Sequence, residues 1–245
     1  MKILVSEWIK TKRTPIRWLT FLTPVIFTAL IVWYFSLRTI TVETQISIFE
    51  AFFESWTALV IPLGTGLISG IMIHQEELAG GFNGFLGSKL PRRSLYLGKL
   101  TMLILLASTS TLLAVLVLVA GLSFILKISV SWPTFLAAAV MAIIGNLPLF
   151  AFHLWISFAW GMGASIGIGS GGILIAALMA TNLGNKIWPF VPWAWPVRLS
   201  GLAGVHLLYL PGMKLSHETL DSGFIKVQAL KGLIPAAVLF VALLA

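Results

Sequence analysis

The sequence predicts an all-α, polytopic membrane protein with six transmembrane helices and an N-terminal helix lying at the membrane interface. Three observations predict it. Of the 245 residues, 58% are hydrophobic and 10% charged, with a mean hydropathy of +1.00, whereas soluble domains carry about 25% charged residues. Apolar runs long enough to cross a bilayer recur along the chain. Lysine and arginine gather in alternate short connections, the pattern that sets membrane orientation. The net charge of +8 therefore reads as orientation rather than as a nucleic-acid surface, and no nucleic-acid partner is expected. With no cysteine, neither a disulfide framework nor a thiolate metal site can be built.

Residues 1–17 form the interfacial helix. At 100° per residue, Met1, Leu4, Val5, Trp8 and Ile9 share one arc, and Lys2, Ser6, Lys10, Arg13 and Arg17 the opposite one. Lys12 breaks the pattern, but a lysine there can snorkel. Trp8, Lys10, Lys12 and Arg13 are the residues expected to hold this helix in the headgroup plane.

The first span covers 19–37. It exceeds a signal-peptide apolar region and no small-x-small site follows, so it reads as uncleaved. Residues 38–55 read as a polar loop carrying Glu43, Glu50 and Glu54. The second span is 56–73 and the third 100–126. The fourth, 133–158, contains Asn146, Pro148 and His153, so a kink or break is expected there. The fifth, 166–183, follows "GMGASIGIGSGG", where Gly163, Gly167 and Gly171 share a helix face that lets another backbone approach.

Residues 184–228 contain Pro189, Pro192 and Pro196, which exclude an ordinary long helix. Trp188, Trp193 and Trp195 fit an interfacial belt, and the short apolar stretches fit re-entrant elements. The last span is taken as 229–245. Its run from Leu233 to Ala245 is short, so either the helix starts before Lys231 or the natural chain continues past Ala245. The lack of a basic tail favours continuation.

Orientation follows from the short connections. Lys2, Lys10, Lys12, Arg13, Arg17, Lys89, Arg92, Arg93 and Lys99 fall on one side, against Arg38 and Lys127 on the other. This puts the N-terminus and residues 74–99 in the cytoplasm and 184–228 outside.

The glycine clusters "GTGLISG" (64–70) and "GIGSGG" (167–172) are not phosphate loops, because neither follows a strand or ends in GK[ST]. The four histidines, His74, His153, His206 and His217, show no metal-ligand spacing, so no metal is expected. Glu76 and Glu77 invite an alternative, an intramembrane metalloprotease of the CAAX-processing type using Glu76, Glu77 and His153. That pattern fails where Gly81 stands for arginine and Leu149 for phenylalanine.

The segment "HQEELAGGFNGFLGSKLPRRSLYLGK" (74–99) has a simpler reading. Its carboxylates favour the positive end of a short helix. Phe82, Phe85, Leu86 and Leu90 recur at three- and four-residue steps, and Pro91 stops the element. Arg92, Arg93 and Lys99 would anchor the third span at the headgroups. A short helix with an exposed apolar stripe on a cytoplasmic loop needs a protein partner.

Through "SEWIKTKRTPIRW" (6–18), "QEELAGGFNGFLGSKLPRRSLYLGKL" (75–100) and "PWAWPVR" (192–198), the chain resembles the permease subunits of ABC-2-type exporters. It looks most like the small lantibiotic-immunity permeases, the E and G subunits that accompany an F-type ATPase. The resemblance implies that Glu76, Glu77, Phe82, Phe85, Leu86 and Leu90 belong to a coupling helix docking on an ABC ATPase. It implies a second permease subunit, identical or similar, and ATP and Mg bound by the partner ATPase, with no cofactor on this chain. It implies a multi-pass protein of the bacterial plasma membrane that is not itself an enzyme. The cargo implied is a cationic antimicrobial peptide, expelled from the lipid bilayer to give self-immunity. Glu43, Glu50, Glu54, Trp193 and Trp195 are the candidate peptide contacts. A third reading is an immunity protein that sequesters peptide without transport.

Overall fold

The structure, a computed structural model, describes residues 2–41, 43–83, 87, 91–205, 207 and 222–245. All regular secondary structure among them is helical. Helix α1 (Lys2–Lys10) leads through a 3-10 turn (Thr11–Arg13) into α2 (Pro15–Ser36). The Thr14 hydroxyl caps α2 by accepting from the Ile16 amide, and Pro15 occupies the first turn, where its missing N–H costs nothing.

Helix α3 (Thr44–Ser55) passes through a π-helical turn (Trp56–Val60) into α4 (Ile61–Leu78) without a break. A polar loop was the expectation for residues 38–55, which include all of α3, with the span starting at 56. The three glutamates drove that expectation. Ile48, Phe49, Phe52, Phe53 and Trp56 recur at helical steps instead, and all five are buried. Glu50 and Glu54, one turn apart, take the exposed face.

Helix α5 (Arg92–Phe124) follows, then α6 (Trp132–Ala180), 49 residues long. At about 1.5 Å per residue a straight helix of that length would far exceed a bilayer. It is not straight. Gly161 has φ 79° and ψ −178°, a region open only to glycine. Nδ1 of His153 lies 3.2 Å from the Ser165 hydroxyl, whereas 12 residues of straight helix would separate them by roughly 18 Å. The chain therefore doubles back into two limbs, 132–160 and 162–180. The break expected near Asn146, Pro148 and His153 falls at Gly161, and the backbone at Pro148 stays helical.

Helix α4 packs on the returning limb at near-backbone distance. A Cβ at Gly66 would lie 2.6 Å from the Ser165 carbonyl oxygen, and one at Gly169 2.7 Å from that of Pro62. The close-approach face is thus Gly66 and Gly169. Gly163, Gly167 and Gly171 have nothing within 4 Å of a built Cβ.

Helix α7 (Ala194–Gly204) is short, and its start lies on the first limb, where a Cβ at Gly145 would meet the Pro196 nitrogen at 2.9 Å. Helix α8 (Ser222–Leu244) begins nine residues before Lys231, so its 23 residues remove the expected shortfall of the last span. Five helices among the described residues are long and apolar enough to cross a membrane, with α3–α4 and α6 each counted once.

Buried clusters stack along the bundle. Near the end where α2 finishes, Phe27, Phe52 and Trp56 pack with ring centroids 5.4–6.2 Å apart, and Trp56 donates to the Thr111 hydroxyl at 3.2 Å. Near the other end, Ile16, Ile73, Leu103, Phe150 and Leu154 form a second buried cluster. Trp188, Trp195 and Leu199 build a third under α7 and α8.

Candidate functional site

The end of the bundle holding α1 carries a four-charge cluster in which Glu7, Glu76 and Lys99 are buried and Lys10 lies at the edge. Lys99 on α5 is 1% exposed. Its ammonium donates to Glu7 Oε2 at 2.9 Å and to Glu76 Oε1 at 2.7 Å. Lys10 donates to Glu7 Oε1 at 2.9 Å and to the same Glu76 oxygen at 2.5 Å. Two cations and two anions cancel, which is what lets the three buried members persist away from water. Burial works against the charge on Lys10, but its hydrogen bonds to Glu76 and Glu7 outweigh this and hold its pKa above the ordinary value.

The cluster ties three elements. Gly98 makes room for it, since Ile3 Cγ2 of α1 lies 2.3 Å from where a Cβ would sit. Arg17 fixes the α1–α2 corner. Its guanidinium lies 4.5 Å from the Trp8 ring centroid and bonds the Thr11 hydroxyl and the Trp8 carbonyl. Just beyond Glu76, α4 ends in a turn at Gly80 (φ 117°) and Gly81 (φ 59°), whose amide bonds the Glu77 carbonyl at 2.8 Å. Glu77 pairs with His74 at 2.9 Å. Phe82 packs on Phe158 below the Gly161 hairpin, with centroids 6.3 Å apart.

The opposite end holds a cleft of about 520 Å³ lined by Phe49, Glu50, Phe53, Glu54, Trp188 and Arg198, among others. Arg198 also closes the end of α6, donating to the carbonyls of Met179 at 2.7 Å and Thr181 at 2.6 Å. Burial lowers its pKa and the nearby Glu54 opposes that. Neither Glu50 nor Glu54 forms an ion pair among the described residues.

A model of the family described as ABC-2 family transporter protein matches residues 3–168, about two thirds of the chain and all of the four-charge cluster. The chain belongs to this family. It is a membrane-embedded, ABC-2-type permease component. No curated protein and no solved structure matches it.

In this ABC-2 chain the sequence-predicted residues divide. Glu76 is 9% exposed and engaged by Lys10 and Lys99, so it braces α4 rather than offering itself to a partner. Glu77 is half-exposed beside the hairpin and Phe82 borders it. Phe85, Leu86 and Leu90 lie outside the described residues. Lys12 and Arg13 are exposed, and Trp8 is partly covered by Arg17.

Of the proposed peptide contacts, only Glu50 and Glu54 meet in one cleft. Glu43 lies apart, beside Arg38 and Thr39. Trp195, expected in an interfacial belt, is 2% exposed and donates to the Pro189 carbonyl. Trp193 is wedged against Gly172 and Phe152. Trp195 is a packing residue, whereas Trp193 is partly buried and also lines a pocket with Leu149, Phe152 and Trp155. Among the described residues no group of three histidines, aspartates or glutamates could hold a metal. The metalloprotease trio is not assembled either, since Glu76 is ion-paired and His153 is bonded to Ser165.

Glu7 and Arg198 were missed from sequence, and Lys99, expected as a headgroup anchor, is instead buried between Glu7 and Glu76. Glu7 had a readable signal, being the one acid in the basic first seventeen residues.

Proposed function

We propose that this chain is the membrane-spanning permease subunit of an ABC exporter that expels a lantibiotic or similar cationic antimicrobial peptide from a bacterial plasma membrane. The observation that carries the reading is the cleft at one end of the bundle. Two carboxylates with no ion-pair partner among the described residues, Glu50 and Glu54, stand against Phe49, Phe53 and Trp188. A cationic amphipathic peptide offers the complementary ammonium groups and apolar side chains.

The remaining parts fit that role. With the two limbs of α6 counted separately, the chain crosses the membrane six times, with its N-terminus in the cytoplasm and the cleft outside. Trp193 reaches Gly172, eight residues or roughly 12 Å inside the end of α6, as a re-entrant segment would. α1 lies at the inner interface with Val5 and Ile9 exposed toward lipid. The ATPase, which binds ATP and Mg, docks on the segment from Glu77 to Leu90. The four-charge cluster passes its movement to α1, α4 and α5 as one body. The open face at Gly163, Gly167 and Gly171 suits a second permease subunit.

The test is peptide resistance in cells carrying the chain with its ATPase. Glu50→Gln with Glu54→Gln should reduce resistance while leaving expression and ATPase association intact. Unchanged resistance in the double variant overturns the reading. Resistance that persists with an ATPase unable to hydrolyse ATP points to sequestration instead.

A further inference from the structure

At the end of the bundle that carries the four-charge cluster, α1, α2 and α5 enclose a groove of about 400 Å³, separate from the cleft. Leu4, Val5 and Trp8 of α1, Phe21 of α2, and Leu105 and Thr109 of α5 are among its walls. These walls face outward: Val5, Trp8, Phe21 and Leu105 are each 41–53% exposed. No ionisable side chain lines the groove. Its α5 wall runs from Met102 to Thr109, seven residues or roughly 10 Å of helix. The hydrocarbon of one leaflet is about 15 Å deep. The groove therefore has the depth and the polarity of the place an acyl chain occupies.

A cation stands at its mouth. Arg17 precedes Phe21 by one turn on the same face of α2. Its guanidinium lies 4.5 Å from the ring centroid of Trp8, which itself lines the groove. Nε donates to the Thr11 hydroxyl and Nη2 to the Trp8 carbonyl, which engages two of the five N–H donors. The α1–α2 corner thus holds the guanidinium in place and leaves donors for an anion. Lys12 and Arg13, on the turn beside it, are exposed. Among the described residues no carboxylate pairs with Arg17, Lys12 or Arg13, whereas Glu7 and Glu76 answer Lys10 and Lys99.

Apolar walls and an unanswered cation together define the occupant. A neutral hydrocarbon leaves the cations without a counter-charge, and a free phosphate leaves the walls bare. A second copy of this chain, inserted in the same orientation, would bring like charges to the same depth. We propose that the groove holds an acyl chain of one anionic phospholipid, whose headgroup phosphate accepts from Arg17 while Lys12 and Arg13 add attraction.

The test offers the purified chain, in detergent, an equimolar mixture of phosphatidylglycerol and phosphatidylcholine, and counts retained lipid by native mass spectrometry. One phosphatidylglycerol per chain should be retained in preference to phosphatidylcholine by about 5-fold or more, the worth of one cation at a lipid headgroup. Arg17→Gln should lower that preference about 5-fold. Leu105→Trp changes no charge and, from its half-exposed position, fills the groove, so phosphatidylglycerol retention should be lost. Should Arg17→Gln fail to fold, because Arg17 also fixes the corner, Leu105→Trp decides alone. Equal retention of the two lipids, or a preference that survives Arg17→Gln, overturns the proposal. So does phosphatidylglycerol retention that survives Leu105→Trp, which would mean attraction to the basic surface without the groove. A lipid-free dimer would place a second copy there and overturn it as well. Neither peptide nor ATPase is present, so the result is independent of the transport reading.

Discussion

Lys99 and Glu7, 92 positions apart, are joined by a 2.9 Å ion pair that is almost wholly removed from solvent. Removing one member of such a group leaves the opposite charge buried alone, which costs about 3–5 kcal/mol. Lys99→Met should therefore lower stability by roughly that amount, read by thermal unfolding in detergent. Adding Glu7→Gln should restore part of the loss, since one stranded carboxylate is then neutral. A loss below about 1 kcal/mol in the single variant would mean that water reaches the cluster.

That pair also marks where sequence reading succeeds and where it stops. The membrane class and a helix at the N-terminus follow from composition and local period, which are properties of neighbouring residues. Lys99 reads locally as a headgroup anchor because it follows Arg92 and Arg93. Only the approach of α1, permitted at Gly98, brings Glu7 onto it. Residues 44–55 misled for a related reason. Their glutamates suggested a loop, while their phenylalanines already carried helical spacing. Trp195 looked like a membrane-belt residue until α7 folded inward against Gly145.

The hairpin in α6 depends on one backbone conformation. At φ 79° and ψ −178°, Gly161 occupies territory that side chains avoid at a cost of about 1–3 kcal/mol. Gly161→Ala should destabilise the chain by that order and loosen the His153–Ser165 contact. Hydrogen exchange of the limbs on either side, compared with the parent chain, checks it. Unchanged protection and stability would mean that the turn tolerates a different path.

Two glycine positions on facing helices should answer differently to the same added methyl. At Gly66 the new Cβ would be 2.6 Å from a backbone oxygen that cannot swing aside, so α4 must move. Gly66→Ala should cost about 1–3 kcal/mol. At Gly163 nothing lies within 4 Å, and Gly163→Ala should change monomer stability by no more than about 0.5 kcal/mol. If Gly163→Ala instead weakens self-association in a size or cross-linking assay, that face meets a second permease.

Lys10 provides a pH signature. Its pKa lies above the ordinary 10.5, so its stabilisation is complete below 10.5 and fades as pH rises through the raised value. At 40% exposure the contribution is solvent-screened and should stay below about 1 kcal/mol. The stability gap between the parent chain and Lys10→Met should therefore be flat up to about pH 10.5 and shrink above it. A gap that grows with alkalinity would contradict the ion-pair role.

Orientation can be read directly because the chain has no cysteine, so a single introduced thiol is the one available for labelling. Lys12 and Arg92 belong to the basic end, and Glu43 and Lys186 to the end that carries the acidic cleft; all four are exposed. A membrane-impermeant maleimide added to intact cells should label Glu43→Cys and Lys186→Cys. Lys12→Cys and Arg92→Cys should react only after permeabilisation, since lysine and arginine accumulate on the cytoplasmic side. The two positions in each pair lie on different connections, so agreement within each pair also tests the even number of crossings between them. Labelling of Lys12→Cys from outside would invert the chain and remove the cleft from the face where an antimicrobial peptide arrives.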